Sequence, residues 1–224
     1  MSRSSRSIRM DDRCQTEAMS SRTSAGDRNE ALVGAVLAGG RSSRMGRPKA
    51  TLELAGRPLI AYPLESVAAA GLEPIVVAKK DSELPDLDCR VISDEDGRSH
   101  PASGIAAALE AAGGPVVVLA CDMPFVPAQL VSVLAQLTAR IALVKVDGRT
   151  QPLLARYEPG VAAGLERAAE RDEPLREAID ALDPLVLGPD ELAGFGDPNW
   201  IVFNVNDPGD LATAERLMAP APSR

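Results

Sequence analysis

Aromatic residues are scarce in this chain: Phe, Trp and Tyr together make up 3% of its 224 residues. Its core must therefore come from Ala, Val, Leu and Ile, which dominate the 45% hydrophobic fraction. Cysteine is scarcer still. Cys14, Cys89 and Cys121 are widely spaced and no C-x-x-C pair occurs, which argues against a disulfide framework and for a reducing cytoplasm. Positive charge is in deficit, with a formal net charge of −8, and this argues against broad nucleic-acid binding, which needs a basic face. No apolar run approaches the roughly 20 residues of a membrane-spanning helix. Two nucleotide fingerprints are missing as well: neither G-x-x-x-x-G-K-[ST] nor G-x-G-x-x-G is present, so a Walker loop and a dinucleotide-binding turn are both excluded.

Residues 1–30 are rich in Ser and Arg and have no apolar segment of their own. They do not form a secretory signal, and a stretch without apolar surface is expected to stay disordered. Met10 and Met19 are alternative start positions within it. Residues 31–219 suit a single domain, large enough to bury a core without metal or disulfide staples. Residues 220–224 read as a frayed end.

From Leu32 onward, apolar runs alternate with helix-like stretches. Strands are expected over 32–37, 74–78, 89–92, 115–120, 141–146, 151–157, 185–187 and 200–203. Helices are expected over 58–70, 103–112, 127–138, 159–170, 174–182 and 208–218, with Asp207 as N-cap of the last. The 115–120 run is the most apolar and reads as a central strand buried on both faces. The alternation predicts an α/β fold: three layers, Rossmann-like, around a mostly parallel sheet. No internal repeat is visible. In such sheets ligands bind beyond the carboxyl ends of the strands, so the residues there carry the chemical weight.

The first strand ends in Leu37-Ala38-Gly39-Gly40-Arg41-Ser42-Ser43-Arg44-Met45-Gly46-Arg47-Pro48-Lys49. Paired glycines let the backbone turn sharply and approach a ligand, and the N–H groups of such a turn cradle anions. Arg41, Arg44, Arg47 and Lys49 can neutralise phosphate. Asp122 follows the central strand and is the candidate metal ligand, since Mg²⁺ takes one or two carboxylates and completes its shell with phosphate oxygens and water. Asp94 ends the third strand and is favoured by that position over Glu95 and Asp96. His100 is the only histidine and reads as a capping or surface residue. Asn204 and Asn206 offer donors and acceptors suited to an uncharged heterocycle or a metal-bound water, or to a turn and helix cap.

These segments resemble the molybdenum cofactor guanylyltransferase family. The glycine loop resembles L-A-G-G-x-x-x-R-M-G-x-x-K, and Cys121-Asp122-Met123-Pro124-Phe125 resembles C-D-x-P-[FY]. His100-Pro101-Ala102-Ser103-Gly104-Ile105 resembles G-P-L-x-G-I. Asp147-Gly148 with Gln151-Pro152 resembles an acceptor-side strand, and Phe203-Asn204-Val205-Asn206-Asp207-Pro208 resembles F-x-N-[VI]-N-T-P. The motifs fall in family order from about Leu32 to Met218. The resemblance implies transfer of GMP from Mg²⁺-bound GTP to molybdopterin, with loss of pyrophosphate. Leu37, Ala38, Gly39 and Gly40 would contact the nucleotide, and Lys49 its phosphates. Asp94 would meet the nucleoside side and Asp122 the Mg²⁺, while Arg44, Lys49 and Asp122 would carry catalysis. Gln151, Pro152, Asn204 and Asn206 would meet the acceptor. Transient contact with proteins that deliver the pterin or receive the finished cofactor is implied too. Two positions depart from the family. Its Asn after the second strand falls at Ala78, where Lys79 is the neighbouring polar group, and its Thr before the last Pro falls at Asp207. Two other readings stay open: a nucleotidyltransferase with another base or acceptor, such as a molybdopterin cytidylyltransferase, and a non-catalytic nucleotide-binding module.

Overall fold

The computed structural model describes residues 32–39, 47–94 and 100–219. The expected tail over 1–30, the 220–224 end, Gly40 and Arg44 lie outside them. In chain order the chain runs through β1 (Val33–Leu37), a short hairpin of β2 (Glu53–Leu54) and β3 (Arg57–Pro58), then α1 (Ala61–Ala69), β4 (Glu73–Ala78) and β5 (Arg90–Ser93). It continues with α2 (Pro101–Ala112), β6 (Val116–Ala120), α3 (Ala128–Gln136), β7 (Ile141–Val146) and β8 (Arg149–Tyr157). It closes with α4 (Ala162–Glu170), α5 (Leu175–Asp180), β9 (Leu185–Leu187), α6 (Pro189–Leu192), α7 (Pro198–Ile201) and α8 (Pro208–Met218).

Seven of these strands form one sheet in the order β5-β4-β1-β6-β8-β7-β9. β1 pairs in parallel with both β4 and β6, and β4 pairs in parallel with β5. β8 alone runs the other way, antiparallel to β6 and β7. The sheet is mostly parallel, as the alternation predicts.

Strand periodicity sorts the core onto two faces. Val36, Val76, Val117 and Leu119 pack with Ile60, Val67 and Leu130 on the α1–α3 side. Val33, Ala35, Leu37, Val116 and Val118 pack with Ile105, Leu109 and Leu165 on the α2–α4 side. All five residues of β1 and all five of β6 are buried, which is why these strands read as continuous apolar runs. A third, smaller cluster joins Leu52, Leu54 and Leu59 to Val205 and Ala214 of the C-terminal segment.

Two expectations are corrected. The helix expected over 58–70 starts at Ala61, because Arg57-Pro58 pairs back onto Glu53-Leu54. Ala55 and Gly56 make that turn with φ of 49° and 77°. The strand expected over 200–203 is replaced by the helix α7. Asp197 caps it, with Oδ1 accepting from the Asn199 N–H at 2.9 Å, and Pro198 takes the first helical position, where its missing N–H costs nothing. Asn204 and Asn206 therefore follow a helix, not the carboxyl end of a strand.

The α1–β1 contact leaves no room at Gly34. A Cβ there would lie 2.3 Å from Val67 Cγ1. Gly34→Ala is expected to cost about 1–3 kcal/mol, the usual range for overpacking. Chemical denaturation measures it, and adding Val67→Ala should recover part of the loss.

Candidate active site

The parallel pairing ends three strands at one level. Leu37 is in register with both Val77 and Ala120, and Ala78 with Ser93. The ladder runs one residue further in each case. The Ala38 N–H donates to Val77 O (2.8 Å), the Cys121 N–H to Leu37 O (3.1 Å) and the Asp94 N–H to Ala78 O (2.8 Å). These bonds fix the backbone of the residues that follow each strand. A cleft opens above them, lined by Leu37, Ala38 and Gly39 from β1, Ala78 and Lys79 from β4, Asp94 from β5, and Cys121 and Asp122 from β6.

Lys49 reaches this cleft from the 3-10 turn Lys49–Thr51 that follows the loop. Its Nζ donates to Asp122 Oδ2 at 2.5 Å and to Asn206 Oδ1 at 2.7 Å. The Lys49 and Asp122 side chains are 19% and 13% exposed, so the pair is largely withdrawn from water yet open on one side. Asn206 is set by its own loop: its Nδ2 donates to Asn204 O at 3.2 Å, and the Asn204 Nδ2 donates to Val202 O at 2.7 Å. The Val205 N–H donates to the Asp122 carbonyl at 2.9 Å, which binds the C-terminal loop to the end of β6. Asp207 caps α8, accepting from the Gly209 and Asp210 N–H groups.

A second Lys–Asp pair lies on the other flank, where Lys79 Nζ donates to Asp94 Oδ2 at 2.6 Å. Asp94 is 8% exposed, and a carboxylate buried to that degree needs a cation or several donors nearby. The wall beyond it is the start of α2, with His100, Pro101 and Gly104 lining the cleft. His100 is the N-cap of α2, as its isolation in the sequence suggests. Its Nδ1 accepts from the Ala102 N–H at 3.2 Å. Nε2, 2.8 Å from Glu173 O, is then the protonated nitrogen and the donor. Both ring nitrogens are used structurally, so His100 has no free valence for catalysis.

Most of the predicted residues therefore meet at one place. Leu37, Ala38, Gly39, Asp94 and Asp122 line the cleft with Lys49, and Asn206 joins them through that lysine. Asn204 supports Asn206 from behind. Gln151 and Pro152 do not line the cleft; Leu153, next in the chain, does. The cause is a break in the β7–β8 pairing, where Leu143 pairs with Ala155 but Val144 pairs with Gln151. Residues 152–154 bow out of that ladder, as bulged strands do beside sites. Leu153 carried no polar signal, and nothing in its chemistry marked it as a cleft residue, whereas Gly104 falls in the His100-Pro101-Ala102-Ser103-Gly104-Ile105 segment singled out in the sequence.

A mostly parallel α/β sheet with Lys–Asp pairs beyond the ends of β6 and β5 fits the Rossmann-like nucleotidyltransferase class that the sequence motifs resemble. A sequence model of the MobA-like NTP transferase domain matches residues 34–185, and the chain belongs to that family. The molybdenum cofactor guanylyltransferase of Rhizobium leguminosarum bv. trifolii is 37% identical over 204 residues, spanning 84% of this chain and 93% of that protein. The molybdenum cofactor guanylyltransferase of Rhizobium johnstonii is 35% identical over the same shares. Among solved structures, molybdopterin-guanine dinucleotide biosynthesis protein A of Archaeoglobus fulgidus superposes with a TM-score of 0.72 at 28% identity, over 83% of this chain and 98% of that one.

Cys121 sits beside Asp122 but is no nucleophile. Burial, with the Asp122 charge adding to it, pushes its thiol up to about 12 from an ordinary 9.0. The folded state thus favours the thiol form. That contribution to stability is whole below pH 9.0 and is lost as the pH rises towards about 12. Cys121→Ala should flatten the alkaline limb of a stability–pH curve, and iodoacetamide should modify Cys121 only when the protein is unfolded, as read by peptide mapping.

Proposed function

We propose that this chain transfers GMP from GTP to molybdopterin and releases pyrophosphate, with one domain over residues 31–219 carrying the reaction. The observation that carries the reading is the convergence of Lys49 on Asp122 Oδ2 and Asn206 Oδ1 in the cleft that Gly39 also lines. Lys49 would neutralise the phosphates of GTP, together with Arg44. Leu37, Ala38, Gly39 and Gly40 would present backbone to the nucleotide, and Asp94 would face the nucleoside. Gln151, Pro152, Asn204 and Asn206 belong to the acceptor side in this reading. The acceptor's terminal phosphate would attack the α-phosphorus of GTP and pyrophosphate would leave in line. A phosphate nucleophile is already anionic near neutral pH, so the site needs no strong general base. Its residues act by positioning and by neutralising charge.

A divalent metal fits the donor set. The two side-chain atoms around Lys49 Nζ are hard oxygens, the ligand type that Mg²⁺ prefers, and an ammonium already sits between them. Among the described residues no group of three or more His, Cys, Asp or Glu converges, so Asp122 would hold the metal with phosphate oxygens from the substrate. When bound, Mg²⁺ would supply charge neutralisation at the transferred and departing phosphates. Lys49 then exchanges a carboxylate partner for a phosphate. The relatives' names support GTP and molybdopterin as substrates, and pterin-delivering or cofactor-receiving proteins would be transient partners. We assign the reaction to the cytoplasm, where thiols such as Cys89 and Cys121 stay reduced. No described helix is long and apolar enough to cross a membrane.

The deciding experiment is a pyrophosphate-release assay with Mg-GTP and molybdopterin, repeated with CTP. Faster turnover with CTP would select the cytidylyl alternative, and tight GTP binding without pyrophosphate would select a non-catalytic binding module. Lys49→Ala and Asp122→Ala should each lower turnover by about 10²–10³-fold, the usual loss for one electrostatic group in such a site, with unchanged circular dichroism. Near-wild-type turnover in either variant would sink the assignment.

A further inference from the structure

We propose that Lys79 selects the base, reading the keto edge of guanine. The proposal rests on the nucleotide reading above and adds a residue to which the reading gives no role. Lys79 directly follows β4, and its side chain bonds to Asp94 beyond β5 and passes near Gly39 beyond β1. A Cβ built on Gly39, beyond β1, would lie 4.0 Å from Lys79 Cγ. On the β5 side its Nζ meets Asp94 Oδ2 at 2.6 Å. Its backbone N–H donates to Ser82 Oγ at 3.1 Å, which ties down the turn that carries it. A lysine on an open surface extends into water. This side chain is 21% exposed and is held along a cleft wall by a carboxylate that is 8% exposed.

The position favours the base over the phosphates. Lys49, Asp122 and Asn206 occupy the β6 flank of the cleft. In the sheet order, β4 stands two strands from β6, which is about 10 Å at the usual strand spacing. That matches the reach of a nucleoside from its α-phosphate to its base. On this flank the cleft is walled by Ala78, His100, Pro101 and Gly104; the His100 ring is engaged by Ala102 and Glu173, and the other three side chains offer no donor. Lys79 offers three donors and no acceptor. Guanine presents two acceptors on one edge, O6 and N7, whereas adenine replaces O6 with an amino donor. Adenine keeps N7 but offers no acceptor at the 6-position, so a donor-only group aimed there favours guanine over adenine. Asp94 acts on the same discrimination by holding the ammonium in place, with one N–H engaged and the others directed at the base.

Inosine triphosphate separates this role from others, since it keeps O6 and N7 and lacks only the 2-amino group. Equilibrium binding of GTP, ITP and ATP, each with Mg²⁺, would be measured on the full chain and on its Lys79→Met and Lys79→Arg variants. Lys79→Met should weaken GTP and ITP alike, by about 10- to 100-fold for a lost charge-assisted hydrogen bond, and leave ATP unchanged. Lys79→Arg should keep the preference for GTP and ITP. An equal loss for all three nucleotides, or no loss for GTP, overturns the proposal. If Lys79→Met unfolds by stranding Asp94, the double variant Lys79→Met with Asp94→Asn removes both charges and must show the same narrowed GTP-to-ATP ratio. Failure of the wild-type chain to bind any nucleoside triphosphate would instead overturn the nucleotide reading itself. A wild-type preference for ATP over GTP would overturn the base assignment alone.

Discussion

The parallel pairing of β1 with both β4 and β6 is the constraint on which the rest of the molecule depends. It brings three strand ends to one height, and the backbone bonds that continue past them hold Ala38, Cys121 and Asp94 in place. The strands themselves cannot carry the chemistry. β1 and β6 are buried along their whole length, and an unpaired polar side chain there would cost several kcal/mol. Polar groups are therefore displaced to the ends of the strands, and the ends are level. The cleft follows from sheet geometry before any ligand is considered.

The charges in the cleft are arranged with equal economy. The protein is acidic overall, yet each of the two carboxylates that line the cleft among the described residues has a lysine against it: Asp122 with Lys49, Asp94 with Lys79. The two pairs lie on opposite flanks. One cation comes from the 3-10 turn Lys49–Thr51, the other from the residue just past β4. An incoming anion can thus recruit positive charge by taking a lysine from its carboxylate, without rearranging the main chain. The carboxylate so released keeps its place, because its backbone is bonded to a neighbouring segment: the Asp94 N–H to Ala78 O, and the Asp122 carbonyl to the Val205 N–H.

The fold was largely legible because its strands are apolar on both faces and its helices are punctuated. Gly71 and Gly113 adopt left-handed φ of 79° and 63° just after α1 and α2, where helix ends were read. Asp207 caps α8 as expected. The failures have local causes. Trp200-Ile201-Val202-Phe203 is rich in β-forming side chains, but Asp197-Pro198 ahead of it starts a helix and prevails. The Glu53–Pro58 hairpin is too short to show periodicity. In the site, Lys49 and Asp122 could be read as members of one motif set, but their direct contact depends on the path of the 47–49 segment, which no spacing rule gives. Leu153 was missed because the break between Leu143 and Val144 shifts β8 against its partner, and pairing register is not written in composition.

The reversed direction of β8 has a consequence of its own. The half of the cleft before β6 is assembled from strands far apart in sequence, so a change in any one of them disturbs its neighbours through shared hydrogen bonds. Beyond β6 the cleft is lined by Leu153, which comes from one contiguous hairpin turned at Asp147 and Gly148 with φ of 49° and 74°. Insertions or substitutions there can reshape that wall and leave the other untouched. The architecture thus sets a cross-braced half of the cleft beside a wall whose shape depends on a single hairpin.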